Sequence, residues 1–249
     1  VSITLVLAPE SFAAAEATVE GDAYRHLFRA RRLAVGDRLR VVDGAGAARW
    51  AEVAAVGRRA GTLRLLDAAP SHEPAYRLEL LVATPKRDRA ATLVEKATEL
   101  GVAAVRFLAS ERSPRDLGTG TLERLRRVAV AAVEQCGRAR VPELSGVHAW
   151  EELPRLLDGA EDRWLLDTGG APGDGEPWRR GGGPGAVLIG PEGGWSAPET
   201  AELVERGCRP VWLGERVLRV ETAAVVAAAA VLLLGGSGAT EAPDAPDAP

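Results

Sequence analysis

The sequence predicts an α/β protein: a largely parallel sheet that carries a ligand site, preceded by a small, mostly β unit. Three observations predict it. First, the apolar run Ala186-Val187-Leu188-Ile189 breaks into Gly190-Pro191-Glu192-Gly193-Gly194-Trp195, and a second run, Pro210-Val211-Trp212-Leu213, breaks into Gly214-Glu215-Arg216-Val217-Leu218-Arg219. A short helical segment separates them. Second, from residue 78 onward strand-length apolar runs alternate with stretches of helical spacing, the pattern of a sheet covered by helices. Third, before residue 70 alternating runs are joined by turn residues. In open α/β sheets ligands sit outside the carboxyl ends of the strands. One glycine loop after a strand is equally an ordinary strand-to-helix turn; two such loops favour a ligand site. Their glycines can take positive φ and bring bare backbone close to a ligand, and Pro191 stiffens the first loop.

The front unit spans residues 1–70. Ile3 to Leu7 is a short apolar strand. Asp22 is placed to cap a helix from Ala23 to Leu33. Arg38 to Asp43 alternates polar and apolar, Asp43-Gly44 marks a turn, and Arg49 to Val56 and Thr62 to Leu66 complete three hairpin-linked strands. A small barrel is the expected form. Arg25, Arg29, Arg31 and Arg32 share one segment; they are either phosphate contacts, which position a nucleic acid without reading it, or a solvated helix face.

Asp67 to Ala75, with Pro70 and Pro74, reads as a linker. The second domain, 76–235, opens with a strand at Leu78 to Ala83. A helix follows, with Leu93, Val94, Ala97 and Leu100 on one face and Gly101 as its C-terminal cap. Val102 to Leu108 is the next strand, Leu122 to about Gly137 the next helix, and Trp164 to Asp167 a further strand. Residues Gly169 to Gly185 are rich in glycine and proline and read as a surface loop. A helix from Pro198 to Arg206 lies between the two glycine loops. The last helix, Glu221 to Leu234, is small and apolar on every side and is expected to be buried. The tail 236–249 has a disordered composition.

Composition narrows the function. The net charge is −4, but residues 1–140 carry +6 and residues 141–249 carry −10. Such asymmetry points to a charged partner. All but two of the basic residues are arginine, whose planar fork suits phosphate, although a GC-rich genome produces the same excess. No run approaches a membrane span of about 20 apolar residues, and no basic-then-apolar leader opens the sequence. Cys136 and Cys208 lack metal-ligand spacing, which fits a reduced, cytoplasmic setting without metal. There is no phosphate-binding Walker sequence and no dinucleotide fingerprint.

The two motifs Leu188-Ile-Gly-Pro-Glu-Gly-Gly-Trp-Ser196 and Leu213-Gly-Glu-Arg-Val-Leu-Arg-Val-Glu-Thr-Ala223 resemble the signature of the RsmE family, SPOUT-class methyltransferases. Lys96-Ala-Thr-Glu-Leu-Gly-Val102, Glu111-Arg-Ser113 and Glu134-Gln-Cys-Gly-Arg138 are similar to it as well. His26-Leu-Phe-Arg-Ala-Arg-Arg-Leu-Ala-Val-Gly-Asp37 resembles its PUA-like RNA-binding front domain more distantly. The resemblance covers roughly residues 20 to 234. It implies a trefoil-knotted α/β domain behind a PUA-like β-barrel, and a homodimer. It also implies methylation of uridine N3 in 16S rRNA of the small subunit with S-adenosyl-L-methionine as donor. Alternatives within reach are the same class acting on another rRNA or tRNA base, and a non-catalytic RNA-binding knot protein.

The resemblance assigns cofactor contacts to Gly190, Pro191, Gly194, Leu213, Gly214, Val217, Leu218 and Thr222, mostly through backbone groups. It places the end of the Trp164–Asp167 strand as a third wall, with Thr168 a doubtful contact behind the glycine-rich insert. Lys86, Arg112 and Arg138, with Arg29 and Arg32, are expected to face RNA; a helix-end salt bridge is the alternative for the first three. Uridine N3 must lose a proton before it attacks, and the anion spreads onto O2 and O4. A fixed arginine would stabilise it, and Arg219 is the first candidate. Glu192 is the candidate proton acceptor; Glu221 competes but suits the first turn of the last helix.

Overall fold

The computed structural model describes residues 3–167, 178 and 180–234. Thr168, most of the glycine-rich insert and the tail 236–249 lie outside the described residues.

The front sheet has five strands: β1 (Thr4–Val6), β2 (Glu16–Glu20), β3 (Arg38–Val42), β4 (Ala48–Val56) and β5 (Ala60–Ala68). Their order is β1-β3-β4-β5-β2. The two expected hairpins, β3-β4 and β4-β5, are antiparallel, whereas β1 runs parallel to β3. β2 was not anticipated. It alternates strictly, with Ala17 and Val19 buried and its glutamates exposed, and pairs with β5. The ladder starts at β1 and ends at β2, so the hydrogen bonding does not close the expected barrel on itself. Asp43 makes its turn by accepting three backbone N–H bonds, from Ala45, Gly46 and Ala47.

Two short helices, α1 (Pro9–Ala13) and α2 (Gly21–Tyr24), flank β2. The expected helix over 23–33 is α2 plus a wider coil, Arg25–Ala30, whose end donates from Arg31 N to His26 O, five residues back. Asp22 does not cap it. It lies inside the first turn and pairs with Arg25. Leu27 and Phe28 of the wide coil enter the front core, and Phe28 lies against Gly61, where any side chain would collide with its ring.

The second sheet is wholly parallel: β6 (Leu78–Ala83), β7 (Ala104–Leu108), β8 (Glu143–His148), β9 (Asp162–Leu166), β10 (Gly185–Ile189) and β11 (Arg209–Val211), in the order β11-β9-β10-β6-β7-β8. The helices are α3 (Arg87–Leu100), α4 (Thr121–Cys136), α5 (Leu153–Leu157), α6 (Ala197–Glu205) and α7 (Val220–Ala229). Alternate strand residues feed opposite faces. Leu80, Val82, Val187 and Ile189 pack under α3, α4 and α7. Leu81, Ala83, Ala186 and Leu188 pack with Leu157 of α5 and Leu203 of α6. Both faces are covered, which explains strands that read as continuous apolar runs. β8 and α5 were not anticipated; β8 is a sheet edge broken by a register shift near Gly146. The last helix is less buried than its composition suggests: Ala224, Ala227 and Ala228 are covered, but Val226, Leu233 and Leu234 are exposed, Leu234 by 79%.

The two sheets are tied by α4 and the residues after it. Val6 N donates to Glu134 Oε1 at 3.1 Å. Arg40, buried on β3, donates to the carbonyls of Gly137 and Pro70. Val42 and Ala48 pack on Val133 and Ala139.

Candidate functional site

A parallel sheet puts all its carboxyl ends on one edge. There, β10, β9 and β11 end side by side, and the loops that leave them enclose a cleft of about 220 Å³. The two glycine loops do not leave adjacent strands, because β9 lies between β10 and β11. Leu166 and Asp167 at the end of β9 therefore form the middle wall, and Asp167 N donates to Val211 O at 3.1 Å.

The first loop is held by packing and by charge. Gly190 lies beneath the Trp195 indole, and a Cβ there would come within 3.0 Å of Nε1. Gly194 has φ +69° and donates to Pro191 O at 2.9 Å. Ser196 N donates to Glu199 Oε2 at 2.8 Å at the start of α6, and the other oxygen of this buried carboxylate accepts Glu111 N at 2.8 Å. Arg112 Nη1 donates to Gly193 O at 2.9 Å. In the second loop Gly214 has φ +107°, with open space where a Cβ would stand. Val217 lines the cleft yet is 75% exposed, an apolar surface without an intramolecular cover.

Of the residues assigned to the cofactor, Gly190, Pro191, Gly194, Leu213, Gly214, Val217 and Leu218 all line the cleft. Thr222 does not. Val220 and Ala223 take the inward positions on α7 and helical spacing turns Thr222 out to solvent. Glu192 lines the cleft, in an ion pair with Arg89 of α3. Arg219 sits at the mouth between two lining residues, Leu218 and Val220; it is exposed, and its carbonyl accepts Ala223 N at 2.8 Å. Glu221 lies in the first turn of α7, and its carboxylate is 4.0 Å from Arg89.

The residues expected to face RNA divide. Arg29, Arg32 and Lys86 are exposed. Arg29 leans over the Tyr24 ring and donates to Arg58 O, and Arg32 takes a left-handed φ of 59°. Arg112 is exposed but spends a donor on the first loop, so part of its role is to brace the cleft. Arg138 is a correction. It is 4% exposed, and its guanidinium pairs with Glu73 and donates to Thr98 O and Val102 O. A cation with every donor face enclosed by protein cannot meet a phosphate. Burial alone would push the Glu73 carboxyl up, but Arg138 and the N–H groups of Ala139 and Arg140 outweigh it and hold it below the usual range.

Sequence reasoning missed Arg89 and Glu199, whereas the expected third wall is present as Leu166 and Asp167. Arg89 sits in the charged run Lys86-Arg-Asp-Arg89, where nothing local distinguishes it from a solvated helix start. Among the described residues no group of three or more His, Cys, Asp or Glu is arranged to hold a metal ion, and no helix is long and apolar enough to cross a membrane.

Comparison with known proteins gives the site a family. An RNA methyltransferase domain matches residues 72–232 and an RNA methyltransferase PUA domain matches residues 19–66. The chain is 31% identical to ribosomal RNA small subunit methyltransferase E of Synechocystis, over 91% of this chain and 76% of the relative. It is 32% identical to the protein of that name from Mycobacterium bovis, over 88% and 87%. The crystal structure of ribosomal RNA small subunit methyltransferase E from Neisseria gonorrhoeae, bound to S-adenosyl methionine, matches with a TM-score of 0.81 at 26% identity, over 94% of this chain and 98% of that one. With matched domains covering the second sheet and most of the front one, and named relatives aligned along most of its length, this chain belongs to the ribosomal RNA small subunit methyltransferase E family of RNA methyltransferases.

Proposed function

We propose that this protein methylates N3 of a uridine in 16S ribosomal RNA of the small subunit, with S-adenosyl-L-methionine as donor. The observation that carries the reading is the three-walled cleft at the carboxyl edge, in a chain whose relative of known structure binds that cofactor. The residues fit such a ligand. Gly194 and Gly214 leave room where side chains would stand, Leu213 and Leu218 line the cleft beside them, and Val217 offers an uncovered apolar face to an adenine. When bound, the cofactor supplies a methyl group on a sulfonium, open to in-line displacement.

The chain's own residues must bring the base to near-attack distance and manage one proton. Glu192 lines the cleft and Glu221 does not, which supports Glu192 as the acceptor of the N3 proton. Arg219 supplies positive charge to O2 and O4 as that proton leaves. Residues 1–70 act as the RNA-docking unit, with Arg29 and Arg32 on phosphates, and Lys86 extends that surface to the transferase unit, 76–235.

Three further features belong to the same reading. The chain from β10 passes through α6 on one face, crosses β9 to reach β11, and returns as α7 on the opposite face; this crossing supports a trefoil knot. The exposed Val226, Leu233 and Leu234 of the α7 segment support a homodimer. The enzyme works in the cytoplasm, where small subunits are assembled.

The test is nucleoside mass spectrometry of small subunits lacking the modification, incubated with the protein and S-adenosylmethionine. New 3-methyluridine is expected. A different methylated nucleoside moves the target, and failure to bind the cofactor overturns the enzymatic reading.

A further inference from the structure

We propose that Arg89 is the positioning residue of the cleft: one guanidinium that holds Glu192 on the first glycine loop and Glu221 at the head of the last helix, and so fixes the two outer walls relative to each other. The inference rests on the cleft being the cofactor site. It adds a role for a residue that does not itself line the cleft.

Arg89 stands in the first turn of α3, the helix that leaves the carboxyl end of β6, next to β10 in the sheet. Its backbone is fixed, with N donating to Lys86 O at 3.0 Å. Its Nη1 pairs with Glu192 Oε1, and its Nε lies 4.0 Å from Glu221 Oε2. That Glu221 oxygen is buried without a hydrogen-bond partner, so the guanidinium is the cation that offsets its charge. The side chain of Arg89 is 25% exposed and that of Glu221 15%, less screened than a surface pair.

Of the three segments so joined, α3 and α7 already pack together in one core, whereas the first glycine loop leaves that core for the opposite face. Glu192 belongs to a loop that ends on α6, on one face of the sheet; Glu221 belongs to α7, on the other. The second glycine loop, 212–219, runs directly into α7. Anchoring the head of α7 to the first loop therefore limits how far Val217 and Leu218 can swing from Gly190 and Gly194. The same contact aims the Glu192 carboxylate, since a flexible glycine loop alone would leave its direction open.

The experiment is calorimetric titration of S-adenosylmethionine into wild type, Arg89→Ala, Arg89→Lys, Glu192→Gln and the double variant Arg89→Ala/Glu192→Gln, with kcat and KM for methylation of small subunits measured alongside. Wild-type binding and methylation must be present first; their absence overturns the cofactor reading itself, not the clamp. Arg89→Ala is expected to weaken cofactor binding about tenfold and to lower kcat while leaving KM for the RNA within about twofold, because the residue acts on the cleft and not on docking. Arg89→Lys, which keeps the charge, is expected to recover most of the affinity. The double variant is expected to lose no more than Arg89→Ala alone, the signature of coupled residues. Glu192→Gln keeps the test open should Arg89→Ala fail to fold: it cuts the same ion pair from an exposed loop position and is expected to weaken the cofactor in the same sense. Unchanged cofactor affinity in both Arg89→Ala and Glu192→Gln, or fully additive losses in the double, would overturn the proposal.

Discussion

Glu73 and Arg138 meet at 2.7 Å where the linker crosses the second domain, and the same carboxylate accepts the N–H groups of Ala139 and Arg140. The arginine expected at the RNA surface is instead the bolt that fastens the linker to the residues after α4.

Arg138→Met should therefore act on stability. Breaking a buried pair leaves the partner's charge uncompensated, at a cost of about 3 kcal/mol. Urea unfolding should show this loss. The salt dependence of RNA binding should stay as in the wild type, since no phosphate contact is removed.

The joint between the two sheets should respond to pH with two opposite signs. Glu73 is held low, so its contribution is present above the unfolded carboxylate value and is lost as pH falls through its lower folded value. Glu134 is the reverse. Burial pushes its carboxyl up, against the Val6 N–H that favours its charge. The folded state then holds a proton that the unfolded state has released, and stability declines as pH rises from the unfolded value through the raised one. Glu134→Gln keeps an acceptor for Val6 N and should remove that decline. Unfolding curves from acid to neutral pH would fail to support this if both proteins fell in parallel.

Gly214→Ala should damage the cleft more than the fold. Nothing would clash with the new methyl group, but φ of +107° is a conformation that alanine resists, at about 1 kcal/mol or more. The loop can relieve that strain only by moving. Cofactor affinity should fall at least about tenfold, with a shift in melting temperature of only a few degrees.

Arg219→Ala separates chemistry from binding. Its side chain does not line the cleft, so calorimetry should give the wild-type affinity for S-adenosylmethionine. The rate at saturating cofactor should fall by about a hundredfold if it stabilises the uridine anion. Full methylation by this variant would remove Arg219 from the mechanism.

What the sequence made legible was what is written locally. An apolar run that ends in Gly-Pro-Glu-Gly-Gly announces a strand end and a loop, and both lie at the cleft. The glycine cap at 101 was readable for the same reason, and it adopts a left-handed φ. What pairs across the chain was not readable. No local pattern places β9 between β10 and β11 or sends the Arg89 guanidinium to Glu192. Thr222 was misassigned because a motif names residues in a row whereas a helix sorts them by face. Arg138 was misassigned because an arginine at a helix end looks alike whether its partner is solvent, RNA or a glutamate from the linker. β2 was available from its alternation, but its short run of alanine, threonine and valine between glutamates carries little apolar weight.

The position of β9 between the strands that bear the two loops has a consequence for the timing of biogenesis. The wall formed by residues 211–223 needs β9, the strand with which β11 pairs, and it follows both β9 and β10 in the sequence. A nascent protein can fold its front sheet and dock it against α4 well before then, but it has no complete cleft. Completion of the cleft therefore waits on the segment that follows residue 210, after the front sheet and α4 have been made.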